Sequence, residues 1–264
     1  MSTQIHPSSI IDPAAKIGKD VFIGPFCLIG PHVEIGDGCH LFSHVVLEGH
    51  TTIGKNNKFF QFCSIGASPQ DNSYKGEPTK TVIGDNNTFR ESVTVHRATT
   101  KENYVTKIGD NNLFMAYVHL AHDSIIGNKC TLVNSCNLAG HVKIGDRVII
   151  GGSTSIAQFV TLGRGAYIGG ASGIDKDIPP FCTAYGNRVK IRGINIIGMR
   201  RQGYDRQTIS EVVDFLRNME ASGLNPRTFI DREEFMNEFK HNTIIQEMAE
   251  HIRVTEIGIA PFAE

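Results

Sequence analysis

The chain has 264 residues and a formal net charge of −1, which excludes the broad positive field of a general nucleic-acid binder. Twenty-seven glycines and no tryptophan point to many tight turns, and the length suffices for one large domain plus a small one. No apolar run reaches the roughly 18–20 residues of a membrane span, and the opening MSTQIHPSSI lacks the basic and apolar regions of a signal peptide. The expectation is therefore a soluble, cytoplasmic protein that does not span a membrane.

An aliphatic residue or Phe recurs every six positions from Ile5 to Ile65, resumes at Ile83, Phe89 and Val95, and runs again from Ile108 to Ile174. A small residue often follows four positions later, as at Val21, Val142 and Val160. The period is neither 3.6 nor 2, which excludes an amphipathic helix and a simple hairpin array. Two inward positions per hexad, with turn residues between them, describe a short strand and a corner. Three such units close a triangular coil, and coils stack at about 4.8 Å, the spacing of hydrogen-bonded strands. The pattern predicts a parallel β-helix of hexapeptide repeats. Cys27, Cys39, Cys63, Cys130 and Cys136 all occupy the small inward position and form no C-x-x-C pair. They read as buried small hydrophobes rather than metal or redox groups.

Two insertions break the register, Gly66–Val82 and Ala98–Lys107. In a solenoid, insertions leave from corners and hang over one face, often the binding face. The repeat stops near Pro179-Pro180, and Tyr185–Arg201 reads as a basic, irregular connection. Thr208-x-x-Glu211 has the form of a capping box opening a helix with Ile209, Val212, Val213, Leu216 and Met219 on one face. Gly223 and Asn225-Pro226 stop it, and Asp231-x-x-Glu234 is placed to open a second helix. The expected division is a β-helix over residues 1–190, with insertions at 66–82 and 98–107, and a helical domain over 191–264. Part of the helical domain's work is to cover the open end of the prism, where strand edges would otherwise be unpaired.

Chemistry concentrates in Asn111–Val142, which holds His119, His122 and His141. Histidine is the side chain best matched to proton abstraction near neutral pH. By register His122 faces outward from the prism, and Asp123 beside it is placed to hold the ring tautomer. His119 lies outside the same coil and His141 one coil up. Three clustered histidines also fit a zinc site, and spacing alone does not separate the two readings. Gly140 precedes His141 at a corner, where a backbone N–H can face a developing oxyanion. Gln158 lies on the outer surface two coils above His122. Between Arg188 and Arg206, six basic residues stand against one acid, Asp205. Such a patch suits a phosphorylated ligand or an acidic partner protein.

The blocks IGPFCLIGPHVEIG, QFCSIG, GEPT, FRESVTVHR, YVHLAHD and LAGHV, with Gln158-Phe159, together resemble the acyl-carrier-protein–UDP-N-acetylglucosamine O-acyltransferases of lipid A biosynthesis. The resemblance covers essentially the whole chain. It implies a left-handed β-helix, a homotrimer with sites between neighbouring prisms, and no metal or cofactor. The reaction it implies moves a (3R)-3-hydroxyacyl chain from acyl carrier protein to the 3-hydroxyl of UDP-GlcNAc, without a covalent acyl-enzyme. In the resemblance His122 matches the general base, Asp123 its orienting partner and Gly140 the oxyanion donor. His119, His141 and Gln158 match residues lining the substrate sites, and Asp71 a sugar contact. Asn195 and Arg201 match nucleotide and phosphate contacts. Gly170 matches the position that limits acyl length, so a glycine there implies room for a longer chain.

Three departures touch those sites. Ala157 stands where the family has a histidine before Gln158. The first insertion, usually Q-D-x-K-Y, reads Gln70-Asp71-Asn72-Ser73-Tyr74-Lys75, and Arg200 and Gln202 flank Arg201 where a lysine and a second arginine are usual. Two alternatives stay open: N-acylation of a 3-amino UDP-sugar by the same mechanism, and a trimeric zinc-dependent hydratase.

Overall fold

The computed structural model describes residues 2–263. The hexads build strands of two residues, such as Phe22–Ile23 and Asn137–Leu138. Each pairs in parallel with the equivalent strand of the next coil, Phe22 with His40 and Asn137 with Ser155. Every third strand joins the same sheet, giving three sheets of eleven, nine and eight strands. These are the walls of a triangular prism.

The recurrent aliphatic residues line its interior. One column runs Ile23, Leu41, Phe59, Phe89, Phe114, Leu132, Ile150, Ile168, each fully buried. Its three phenylalanines stack with ring centroids 4.8 and 4.7 Å apart and planes within 4°. That separation equals the strand spacing, so like residues meet down each column. The cysteines are buried as expected. Five of them place Sγ 3.0–3.2 Å from a carbonyl of the adjacent coil. Burial pushes the Cys63 and Cys130 thiols up to about 12, so these sulfurs stay protonated and inert.

Most corners carry a non-glycine residue in the left-handed region, including Asp123 (φ 61°) and His141 (φ 65°). That conformation costs about 1–2 kcal/mol per residue. A hydrogen bond between coils offsets it: the His141 N–H donates to the His122 carbonyl at 3.0 Å.

Both insertions leave from the same corner. One lies between strands Ser64–Ala67 and Lys80–Ile83, the other between Thr94–His96 and Val105–Ile108. Lys58 pairs with His40, 18 residues away, on one side but with Thr88 on the other, and Thr88 with Leu113, the longer separations being the detours of the chain. The next two turns at this corner, after His119–Leu120 and Asn137–Leu138, hold His122-Asp123 and Gly140-His141.

The prism continues past Pro180. Cys182–Tyr185 adds a parallel strand to the eleven-stranded sheet, and Lys190–Ile194 folds back against it antiparallel. The connection expected to be irregular is thus a hairpin, whose turn uses Gly186 at φ 113°. Helix α1 (Ile196–Arg201) follows, then α2 (Arg206–Ala221). The N-cap of α2 is Asp205, which accepts the Thr208 N–H at 2.8 Å. Thr208 therefore lies inside the helix, because an aspartate three residues earlier takes the capping position. Asn225 caps α3 (Pro226–Ile230), whose C-terminus is at Asp231. Asp231 ends a helix where the pattern predicted a start. Helix α4 (Glu233–Met236) is a single turn, and α5 (Thr243–Val254) is capped by Asn242.

Phe215 meets Phe229 and Phe239 edge-on in the core of this region. Arg164 ties it to the prism: Nε lies 2.6 Å from Glu247, Nη1 3.0 Å from the Tyr204 hydroxyl, and the guanidinium 4.7 Å over the Phe181 ring. Asp177 accepts the Thr161 N–H and the Thr255 hydroxyl. The helices thereby cover the last coil of the stack.

Phe89 is held on both faces by stacked rings. Phe89→Ala is expected to lower unfolding free energy by about 3–5 kcal/mol, measured by denaturant titration at fixed protein concentration.

Candidate active site

Stacking by coils brings His122 directly beneath Gly140. A Cβ on Gly140 would lie 2.5 Å from His122 Cε1 and 2.8 Å from Nε2. The imidazole therefore lies across this backbone, and only glycine leaves it room. Among the described residues the Gly140 N–H meets no hydrogen-bond acceptor. Other first-corner amides share that freedom; Gly140 differs in having the imidazole against it.

His122 Nδ1 lies 2.8 Å from Asp123 Oδ2. The same oxygen accepts the Thr99 hydroxyl at 2.7 Å and its N–H at 3.0 Å, while the Asp123 N–H donates to Thr106 Oγ1 at 2.8 Å. Burial works to raise the Asp123 carboxyl, but the bonds from His122 and Thr99 outweigh it and hold the group below its ordinary range. An anionic Asp123 accepts from Nδ1–H, which assigns the proton to Nδ1 and leaves Nε2 as an acceptor.

Asp71, from the first insertion, places Oδ2 3.9 Å from that Nε2. Lys101 Nζ sits 2.5 Å from the same oxygen, and the Ser73 hydroxyl and N–H reach Oδ1 at 2.6 and 2.8 Å. The Lys101 ammonium, then Ser73, hold the Asp71 carboxyl well below the usual range. His141 meets His122 edge-on at 5.2 Å and stacks on Phe159 at 4.6 Å. Its Nδ1 is 3.3 Å from Glu102 Oε1, and its Nε2 3.9 Å from Asp123 Oδ2. His119 Nδ1 bonds the Thr94 hydroxyl at 2.7 Å and the ring meets His96 at 4.9 Å. Burial, followed by neighbouring histidines, lowers both, His96 to about 4, so both rings are neutral at pH 7.

His122 points away from the prism interior, as its register requires, yet it is only 4% exposed. The insertions cover it. Thr99, Thr106, Lys101 and Glu102 carry no motif of their own, and Phe159, read in the sequence only as part of the Gln158-Phe159 block, also shapes the site. The one sequence signal for the first four was the position of the second insertion.

Other sequence-predicted residues lie apart from His122 within one chain. Gln158 is exposed two coils above. Gly170 sits on a neighbouring corner, stacked over Gly152. Asn195 caps α1 by accepting the Gly198 N–H at 2.9 Å and donates to the Gly165 carbonyl at 2.9 Å. Arg201 joins Lys129, Arg147, Tyr167 and Ile197 along a groove of about 760 Å³ on the eleven-stranded sheet. The basic stretch is partly spent internally: Arg188 pairs with Asp175, and Arg192 lies over the Tyr185 ring.

His122, Asp123 and His141 each offer a metal-ligand atom within 4.8 Å of the others. Two of those residues, however, are bonded to one another, and Thr99 takes the shared oxygen as well. That bonding suits the pair to a proton relay. His119, the third histidine of the zinc reading, is engaged with Thr94 instead.

A β-helix of hexapeptide repeats with a buried His–Asp pair against a corner glycine defines a hexapeptide-repeat acyltransferase. Comparison with known proteins narrows this. The family model described as "Udp N-acetylglucosamine O-acyltransferase; Domain 2" matches residues 177–260, the bacterial transferase hexapeptide model residues 106–140, and a "GMPPB C-terminal domain" model residues 5–107. The chain is 42% identical to the acyl-[acyl-carrier-protein]–UDP-N-acetylglucosamine O-acyltransferase of Halorhodospira halophila, over 97% of this chain and 99% of that protein. The structure of LpxA from Acinetobacter baumannii superposes with a TM-score of 0.94 at 45% identity, covering 97% of this chain and 99% of that one. UDP-N-acetylglucosamine O-acyltransferase (LpxA) from Moraxella catarrhalis gives 0.93 at 40%, with coverage of 97% and 99%. The chain belongs to the acyl-[acyl-carrier-protein]–UDP-N-acetylglucosamine O-acyltransferase family, and its fold is the left-handed parallel β-helix with a small C-terminal helical part.

Gly140→Ala drives a methyl group into the His122 ring. It is expected to lower acyl-transfer kcat about 100-fold, the loss that a displacement near 1 Å produces, with an unchanged circular dichroism spectrum.

Proposed function

We propose that the chain transfers a (3R)-3-hydroxyacyl group from acyl carrier protein to the 3-hydroxyl of UDP-GlcNAc, the first acylation of lipid A biosynthesis. The observation that carries this is the His122 imidazole, with Nδ1 fixed on Asp123 at 2.8 Å and Nε2 left as an acceptor across Gly140. In the proposed step Nε2 takes the proton from the sugar hydroxyl as its oxygen attacks the thioester carbonyl. Asp123 balances the imidazolium that forms. The Gly140 N–H, free of an internal acceptor, stabilises the oxyanion. Collapse of the tetrahedral intermediate expels the carrier's thiolate, which recovers the proton from His122. Transfer is direct: the cysteines are buried, and none of them lies in the His122 pocket.

Asp71, His119 and His141 would line the sugar and acyl sites beside the base. Asn195, Arg201 and Gly170 lie on other faces of the prism, and Gln158 lies exposed two coils above His122 on the same corner, which supports a homotrimer in which neighbouring prisms close each site. There Asn195 and Arg201 would take the nucleotide and its phosphates, and the exposed Gly170 would leave space for a longer acyl chain. Residues 1–190 would supply the catalytic prism and 191–264 the helical cover. Among the described residues no helix is long and apolar enough to cross a membrane, and both proposed substrates are water-soluble, in keeping with a cytoplasmic location.

The test is acyl transfer by purified protein, offering 3-hydroxyacyl carrier proteins of several lengths to UDP-GlcNAc and to its 3-amino analogue, with and without chelator. Chelator-insensitive O-acylation is the expected result; transfer to the amine alone, or metal dependence, would overturn it. His122→Ala is expected to reduce turnover by about 10²–10⁴-fold, with the oligomeric state unchanged in gel filtration.

A further inference from the structure

The segment Thr99–Glu102 of the second insertion touches three parts of the site at once. Thr99 holds Asp123, Lys101 holds Asp71, and Glu102 faces His141. Lys101 joins the two insertions beside His122, through Asp71. Its Nζ and His122 Nε2 share one neighbour, Asp71 Oδ2, at 2.5 and 3.9 Å. The first insertion has Ser73 where the resembled family carries a lysine, and Ser73 bonds the other oxygen of the same carboxylate.

We propose that Lys101 is a positioning residue for the transfer reaction: it fixes the Asp71 carboxylate as an acceptor for the sugar and screens its charge from His122. The second insertion thereby supplies the cation at Asp71, since position 73 is a serine and Lys75 of the first insertion turns to the Asn72 carbonyl instead. This rests on the acyltransferase reading above and names how its acceptor site is set.

The electrostatic argument is local. His122 is faced by Asp123 on its own corner, by Asp71 and Lys101 from the insertions, and by His141 with Glu102 behind it. His119 of the same coil and His96 of the coil below adjoin it, both neutral. A bare carboxylate near Nε2 stabilises the imidazolium, the form that cannot take a proton. With Lys101 on Asp71, that pull is cancelled. The lysine side chain is 49% exposed and the aspartate's 14%, so the bond can be removed without opening a core.

The experiment uses the full chain as wild type, Lys101→Met, Lys101→Arg and the double variant Lys101→Met with Ser73→Lys. In the ligand-free proteins the His122 imidazole is titrated by NMR. Kinetics are then measured against UDP-GlcNAc and against acyl carrier protein across pH. Lys101→Met is expected to raise the His122 pKa and the acid limb of kcat/KM by roughly half a unit to one unit, the effect of one uncancelled charge at this distance in a wet site. It should lower kcat/KM for UDP-GlcNAc about tenfold, as for loss of one charge-assisted hydrogen bond, while KM for the carrier protein stays unchanged. Lys101→Arg and the double variant should recover most of both effects. An unmoved His122 titration in Lys101→Met, or a shift that Ser73→Lys leaves in place, overturns the proposal. A wild-type protein that transfers nothing overturns the acyltransferase reading instead, while the ligand-free titration still judges Lys101.

Discussion

Everything in this molecule depends on hydrogen bonding between successive coils. Most strands are only two residues long, too short to persist alone, and they exist because the coils on either side supply their partners. The same bonds set the lateral register, so a residue lies over its equivalent one coil earlier. The His141 N–H on the His122 carbonyl is one of these bonds. The geometry of the site is therefore inherited from the scaffold: Gly140 lies over His122 for the reason that Phe89 lies over Phe59.

A prism wall presents its outward residues to solvent, which is a poor place for the proposed general base. The insertions change the environment without disturbing the wall. Both leave at the corner below His122 and return to register, so the ladder continues while a patch of the outer surface becomes interior. Thr99 then satisfies the buried Asp123 carboxylate, which would be costly without such a partner, and Thr106 accepts the Asp123 N–H.

The two carboxylates near His122 have different neighbours and different parts to play. Asp123 is buried, bonded to Nδ1 and to Thr99, and orients the ring. Asp71 lies on the Nε2 side, paired with Lys101 and Ser73, where an acceptor hydroxyl would approach. Environment assigns the roles, since the side chains are chemically the same.

By itself the sequence determined the repeat, the inward columns, the burial of the cysteines and the nearness of His122, Asp123, Gly140 and His141. These follow from period alone, because in a stack of hydrogen-bonded coils sequence separation converts directly into position. The helical region was legible only in part. Competing cap residues moved the start of α2 to Asp205 and made Asp231 a helix end, since a cap is chosen by which neighbour completes the turn. Tertiary structure alone decided that His122 is buried, that Thr99 and Lys101 reach its two carboxylates, and that Gly170, Asn195 and Arg201 sit on other faces. Insertions have no period, and their conformation comes from contacts between distant segments, such as Arg97 of the wall bonding the Tyr74 hydroxyl and the Gly66 carbonyl. Such contacts have no sequence spacing to read, because each forms only after both partners have been placed by the prism beneath them.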